Sequence, residues 1–444
     1  MLTSAVPAPL RAPDPLSFVT VPVPAPAPPA WCLPDLRVWW APRGGGEIAC
    51  LGLAAEVSAR GADRLAELRR RAAELFARVI VHDAPDAPPF SPRLLGGFAF
   101  APGAADAPPW RELGDAWFAL PRAYYRREGE RAWLTVVAAG SRGAALDQAS
   151  RAAERLVRTA PRAAPGAPPP VTAVHQQDRA SWRAGVEEIR RAIAAGACEK
   201  IVHARRAELE LAAPPDPVAL LGRLDARHPD CFRFAVRAGG AMFVGASPER
   251  LVSVRGDVVE TEAMAGSMGG GGGAARALLD SRKDRGEQAV VARAIARALA
   301  PLATSLELAP VPEVRELRHV VHLCTPVRAR LERPRHLLEL AAALHPTPAV
   351  GGEPGERAVE WIARHERAPR GWYAGAVGWF DAAGDGELAV AIRSGLVAGS
   401  RAWLWAGAGI VAESDPDAEY AETGLKQRAL LDVLGAPPDG EAAG

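Results

Sequence analysis

Near its C-terminal end the chain reads AESDPDAEYAETGLKQRALLDVLG over 412–435, with Glu419, Glu422 and Lys426 at i, i+3 and i+7. On a helix this spacing stacks all three on one face. Spacing alone favours an ordinary Glu422–Lys426 pair at i,i+4, worth about 0.2–0.5 kcal/mol. The other reading is metal ligation, because two carboxylates with waters and a substrate oxygen suit Mg²⁺. A ligand set of that kind needs a further carboxylate. Glu287 in SRKDRGEQAVVARAI offers one, from the first turn of an expected helix. By itself it only gains from the helix dipole.

Other single residues also carry chemistry. Lys200 in CEKIVHARR opens an expected strand directly after a helix end. Alone it reads as a solvated edge lysine. Facing a cleft, it would lose its charge through desolvation and act as a base. Glu249 in FVGASPERLV follows Pro248 and sits among Val244, Leu251 and Val252. A carboxyl among apolar neighbours has a raised pKa and suits a general acid, unless an arginine pairs with it. Arg393 ends the apolar run ELAVAIR and needs an anion, for which a substrate carboxylate is one option. His345 in LHPTPAVGG reads first as a hydrogen-bonded loop histidine. Gly269–Gly273 lacks a following GK[ST], which excludes a P-loop. Gly266 and Ser267, just before it, can bring backbone N–H groups close to a ligand.

These residues need elements to position them. Helical periodicity covers 62–79, 181–196 (Ser181 as cap, Gly196 as stop), 284–302, 337–344 and the 412–435 stretch. Strand patterns cover 95–100, 133–137, 200–211, 232–236, 242–262 with a turn at 255–257, 372–380, 387–393 and 402–406. The run 118–125 is strand-like but broken by Pro121. Consecutive strands joined by tight turns imply antiparallel pairing. Residues 1–30 are rich in Pro and Ala and read as a partly disordered lead-in, and 158–174 as a Pro-rich connector.

The whole chain narrows the classes. Its 444 residues are nearly half hydrophobic, enough for a sizeable core, and its net charge of +1 gives no basic excess for nucleic acid. Cys32, Cys50, Cys198, Cys231 and Cys324 form no CxxC pair, which suggests reduced thiols in a cytoplasm. No secretory signal is seen, and no apolar run is long enough to span a membrane.

From about Ser181 to Leu434 the chain resembles the chorismate-utilising enzymes, and among them the isochorismate synthases of the menaquinone and siderophore type. The motifs KIVHARR, GASPERL, AGS, SRKDRGEQ, LHPTPAVGG, YAGAVGWFD, VAIRSG, AGAGIV and SDPDAEYAETGLK occur in the family order. GGFAFAP, at 96–102, resembles the family's amino-terminal half. The resemblance implies an α+β fold, one large domain over 31–444 with two stacked antiparallel sheets flanked by helices, and a catalytic core at 181–435. It implies Mg²⁺ held by Glu287 and Glu422, with Glu419 close by. It implies Lys200 as the base that activates water toward C2 of chorismate, and Glu249 as the acid for the departing C4 hydroxyl. Arg393 and Lys426 would bind the enolpyruvyl carboxylate, and Gly266, Ser267, His345, Ala349 and Gly407 would line the site. The partner expected is chorismate, with no nucleic acid, membrane or glutamine amidotransferase, and a monomer or homodimer. Lysine rather than glutamine at 200 resembles water-using members, and Ala265 replaces the lysine of aminodeoxychorismate synthases. A salicylate synthase and a non-catalytic chorismate-binding paralogue are the alternatives. Gln288, where the family usually has histidine, and the MGGGGG loop depart from the pattern.

Overall fold

The computed structural model describes residues 15–436, apart from 83, 85–86 and 160–165. Two large sheets dominate, with helices packed around them. Pairing within both sheets is antiparallel except at one edge, where Leu16–Val23 runs parallel to Val79–Val81. A continuous hydrophobic cluster between the sheets draws on residues from Leu16 to Ile410. Both halves of the sequence therefore contribute to one core.

Three of the short segments that carry the chain from one sheet to the other organise the molecule. Ala116–Leu120 belongs to the smaller sheet and Ala123–Glu128 to the larger, so the strand-like run around Pro121 is two strands. Ala241–Ser247 lies in the larger sheet and Arg250–Arg255 in the smaller, with Pro248 and Glu249 between them. Gly386–Val390 returns from the smaller sheet to Ser394–Ala398 in the larger, through Ala391, Ile392 and Arg393. Proline has no N–H to continue a ladder, which suits Pro121 and Pro248 to these exits. The second and third crossovers are tied together: Val390 N–H donates to the Glu249 carbonyl (3.1 Å) and Ala246 N–H to the Arg393 carbonyl (3.1 Å).

Several expectations meet the structure closely. Lys200–Leu211 is a strand and Leu337–Leu344 a helix. The strand Lys200–Leu211 pairs along its length with Arg401–Ile410, Ile201 facing Ile410. The last helix is Pro416–Leu434; Asp415 caps it by accepting from the Ala418 N–H, and Gly435 ends it at φ 77°.

Others are corrected. The lead-in reading of 1–30 fails from Leu16 onward, because Leu16–Val23 is a mostly buried strand between Arg131–Ala139 and Val79–Val81. Its apolar residues fit the core, and Phe18 stacks on Phe90 at 5.7 Å and tilts against Tyr124 at 5.6 Å. Residues 1–14 lie outside the described residues. The helix expected at 181 begins at Arg179, and Asp178 rather than Ser181 is its cap, accepting the Ser181 N–H at 2.8 Å. Helix Arg282–Leu299 starts two residues early, so Glu287 stands in its second turn and not its first.

Phe18→Ala tests the corrected N-terminus. A strand in the core predicts a loss of about 3–5 kcal/mol in urea unfolding; a loose lead-in would leave the midpoint unchanged.

Candidate active site

The strand Lys200–Leu211 starts where the turn 347–351 and the Gly352–Glu353 bridge meet it, with Lys200 paired to Glu353. The Lys200 side chain is fully buried and its Nζ lies 2.8 Å from Oε1 of Glu287. Glycine makes this approach possible. A Cβ on Gly409, in the neighbouring strand, would lie 2.2 Å from Oε1 of Glu287 and 2.6 Å from Cε of Lys200. Burial raises the Glu287 carboxyl, but Lys200, Lys426 and Lys283 together hold it below its usual value.

Glu249 projects from the second crossover and is 2% exposed. Its Oε1 is buried without a hydrogen-bond partner among the described residues. Burial pushes its carboxyl up to about 8, helped by Glu262, while Lys200, Arg393 and Arg315 oppose the rise. Two of those opposing cations are site candidates, so Glu249 shares an electrostatic neighbourhood with Lys200 and Arg393. Glu262 does not compete for them, because Arg315 and Arg43 hold it at 2.9 and 3.0 Å. Glu249 is therefore protonated at neutral pH while Glu262 keeps its own cations.

The last helix supplies three more groups. Glu419 is buried; it accepts from Ser414 Oγ at 2.8 Å and meets Lys283 Nζ at 2.5 Å. Burial and the Glu422 charge push its carboxyl up to about 7, against the pull of Lys283. Burial alone would lower Lys283, but Glu419, Glu287 and Glu422 outweigh it and hold it above its usual value. Glu422 pairs with Lys426 at 2.5 Å, and Lys426 also donates to the Gly407 carbonyl at 3.0 Å. The i,i+4 pair read from spacing thus forms. The carboxylates of Glu287, Glu419 and Glu422 also sense one another, and each meets one lysine. Among the described residues, no group of three or more His, Cys, Asp or Glu side chains is gathered to hold a metal.

Arg393 sits on the third crossover in the left-handed region at φ 51°. A non-glycine residue held there carries backbone strain. Its Nη2 donates to Nε2 of His322 at 2.8 Å. Nδ1 of His322 faces Ser267 Oγ at 3.0 Å and the Gly266 carbonyl at 3.3 Å. An Nε2 that accepts requires the proton on Nδ1. Burial, with Arg393 and Lys426 nearby, keeps this imidazole neutral by holding its pKa well below the usual range. Gly266 adopts φ 76° where the Val258–Gly269 strand slips register against Val320–Leu331. Gln288, in the departure from the family pattern, donates to Thr325 Oγ1 at 2.5 Å and is buried.

The structure therefore joins Gly266, Ser267 and Arg393 through His322, Lys200 to Glu287, and Lys426 to Gly407 and Glu422. Ala349 lies in the turn that abuts the start of the Lys200 strand. His345 is held elsewhere: Nε2 bonds the Phe100 carbonyl at 2.9 Å, and the ring packs edge-on against Phe98 and Phe100. Burial lowers its pKa to about 4, and no contact links it to the other candidates among the described residues. Sequence reasoning missed His322, Lys283, Tyr373 and Gly409. Tyr373 brings its hydroxyl to the Gly407 backbone. Lys283, in SRKDRGEQ, lies four residues before Glu287, one helical turn, which is the signal that could have found it. His322 sits in VVHLCTPV and looks like any core histidine of a strand.

Two predictions follow from this geometry. Gly409→Ala drives its Cβ into the Lys200–Glu287 contact and lowers turnover at least 10²-fold, with the circular dichroism spectrum retained. Glu249→Gln separates stability from chemistry. The folded carboxyl titrates near 8, against about 4.5 unfolded, so between these values the native state binds more protons and stability falls as pH rises. The amide escapes this loss. Glu249→Gln therefore stabilises the fold by up to about 3 kcal/mol at pH 7. The gain fades toward pH 4.5, as read from urea midpoints across that range.

Comparison with known proteins places the chain in a family. Residues 33–435 match the family described as chorismate binding enzyme. A salicylate biosynthesis isochorismate synthase of Pseudomonas aeruginosa is 38% identical over 399 residues, covering 87% of this chain and 82% of the relative. The isochorismate synthase MenF of Bacillus subtilis is 33% identical over 355 residues, covering 78% and 75%. The structure of the menaquinone-specific isochorismate synthase MenF from Escherichia coli superposes with a TM-score of 0.76 at 26% identity, covering 95% of each chain. With that family match and those two relatives behind it, the chain is an enzyme that belongs to the chorismate binding enzyme family.

Proposed function

We propose that the protein is an isochorismate synthase, an isomerase that moves a hydroxyl around the ring of chorismate. The observation that carries this reading is the pairing of opposites, a buried acid within the electrostatic reach of a buried lysine. Glu249 is a buried carboxyl raised to about 8, and it feels the charge of Lys200, a fully buried lysine on another strand. A protonated acid and a base across a ring are what hydroxyl transfer needs.

Lys200 takes a proton from water as its oxygen bonds to C2. The ring double bonds shift. Glu249 gives its proton to the C4 hydroxyl, which leaves as water. One water enters and one departs, so the product is an isomer. For Lys200 to accept a proton, its contact with Glu287 must open; a buried amine without a counter-ion favours the neutral form.

Glu287 and Glu422, with Glu419 beside them, are the residues that would hold Mg²⁺. Their hard oxygens suit it, and the repulsion from Glu422 and Glu287 that adds to burial in lifting Glu419 to about 7 is what a divalent cation would relieve. When bound, Mg²⁺ would offset the charge of the ring carboxylate. Arg393 and Lys426 would receive the enolpyruvyl carboxylate, with the backbone at Gly266, Ser267, Ala349 and Gly407 lining the site. His322 keeps Arg393 aimed by accepting its Nη2 proton. Names of relatives support the same reaction, since both curated relatives above are isochorismate synthases.

Incubation with chorismate and Mg²⁺, followed by chromatography, should give isochorismate as the main product. Salicylate as the main product at neutral pH would replace this reading with a salicylate synthase. Metal-dependent chorismate binding without turnover would leave only a binding protein. Lys200→Ala and Glu249→Ala should each lower kcat by about 10²–10⁴-fold with the fold intact. Chelation with EDTA should stop turnover, and added Mg²⁺ should restore it.

A further inference from the structure

Away from the site, a cavity of about 530 Å³ opens between the two sheets beside the 42–46 turn. Arg93 and Trp379 line it from the smaller sheet, Arg126 from the larger, and Arg255 from the end of Arg250–Arg255. None of the active-site candidates lines it.

The charges around this cavity do not balance. The Arg93 guanidinium lies between two rings, 3.7 Å from the Trp379 centroid and 4.8 Å from that of Phe90. Its Nε is buried with no hydrogen-bond partner, and no carboxylate pairs with it among the described residues. Arg126 donates to the carbonyls of Pro88 and Pro89, and Arg255 to those of Val254 and Gly386. These acceptors are neutral. The nearby acids are engaged elsewhere: Glu47 by Arg127 at 2.5 Å and Glu387 by Arg250 at 3.0 Å, while Glu128 reaches Arg126 only at 4.0 Å; Asp381, opposite Arg93 in the ladder, pulls it upward but accepts from Ser91 Oγ and the Ala383 and Asp385 N–H groups. Burial, and then the charges of Arg255 and Arg126, bring Arg93 down to about 10. Cations held this close, and only partly offset by Glu128 and Asp381, are electrostatically costly. The aromatic faces meanwhile hold the guanidinium planes in place, so ordering them for a ligand costs little entropy.

We propose that this cavity is an anion-binding site, in which Arg93, Arg126 and Arg255 receive a doubly charged oxyanion group, phosphoryl or dicarboxylate. Guanidinium groups match such oxygens in bidentate geometry. The test is isothermal titration of the full chain at fixed ionic strength, with inorganic phosphate and separately with malonate. One saturable site is expected for at least one of them. Phosphate alone assigns a phosphoryl ligand, and malonate alone a dicarboxylate. Arg93→Met keeps the packing stem and should weaken binding at least tenfold, as should Arg255→Met at the exposed end of its strand. Arg393→Met removes an anion-binding group of the active site and should leave the affinity unchanged. No saturable binding of either ion overturns the proposal. So does unchanged affinity in both Arg93→Met and Arg255→Met, or loss of binding in Arg393→Met.

Discussion

The molecule depends on the two sheet-to-sheet crossovers at Pro248–Glu249 and Ala391–Arg393. Each takes the chain out of one ladder and into another, so its backbone groups lose their strand partners and must find others. They find each other, through Val390 N–H to Glu249 and Ala246 N–H to Arg393. This exchange fixes the seam between the sheets. It also sets a carboxyl and a guanidinium, those of Glu249 and Arg393, at the same seam. The strain at Arg393, held at φ 51°, belongs to the same seam. A strained residue persists only where its surroundings over-determine it. Here the surroundings are His322, the Gly266 turn and the paired crossover.

Electrostatics divides the site into two parts. Around Glu249, burial dominates and one carboxyl becomes an acid. Around Glu287, Glu419 and Glu422, three lysines keep the acidic groups company. Lys200 belongs to both parts: it contacts Glu287 and its charge reaches Glu249. The two parts are coupled by one side chain, and the coupling runs through a strand position where only glycine fits.

Local order was legible where sequence-local physics decides it. The Lys200 strand, the Leu337–Leu344 helix and the C-terminal helix follow from periodicity and caps. The raised pKa of Glu249 was legible from its apolar neighbours, and the Glu422–Lys426 pair from its spacing. What escaped was long-range. Nothing local tells that Glu287 meets Lys200, that Lys283 meets Glu419, or that Arg393 rests on His322, because each pair comes from separate elements. Leu16–Val23 escaped because prolines crowd both of its sides in sequence, while its pairing partner, Arg131–Ala139, lies far along the chain. The Val320–Leu331 strand escaped too; it alternates only in its second half, being buried on both faces in its first. The motif order was the one non-local signal, and it reported the fold as a whole.

The pairing of Ile201 with Ile410 has a consequence for how the protein is made. The strand that bears the proposed base waits, through synthesis of most of the second half of the chain, for its neighbour Arg401–Ile410. Until then its hydrogen-bonding edge on that side is open, and open edges invite pairing with other chains. No amino-terminal fragment contains both walls of the cleft. The site therefore cannot assemble before Arg401–Ile410 and the helix Pro416–Leu434, which carries Glu419, Glu422 and Lys426, have been synthesised.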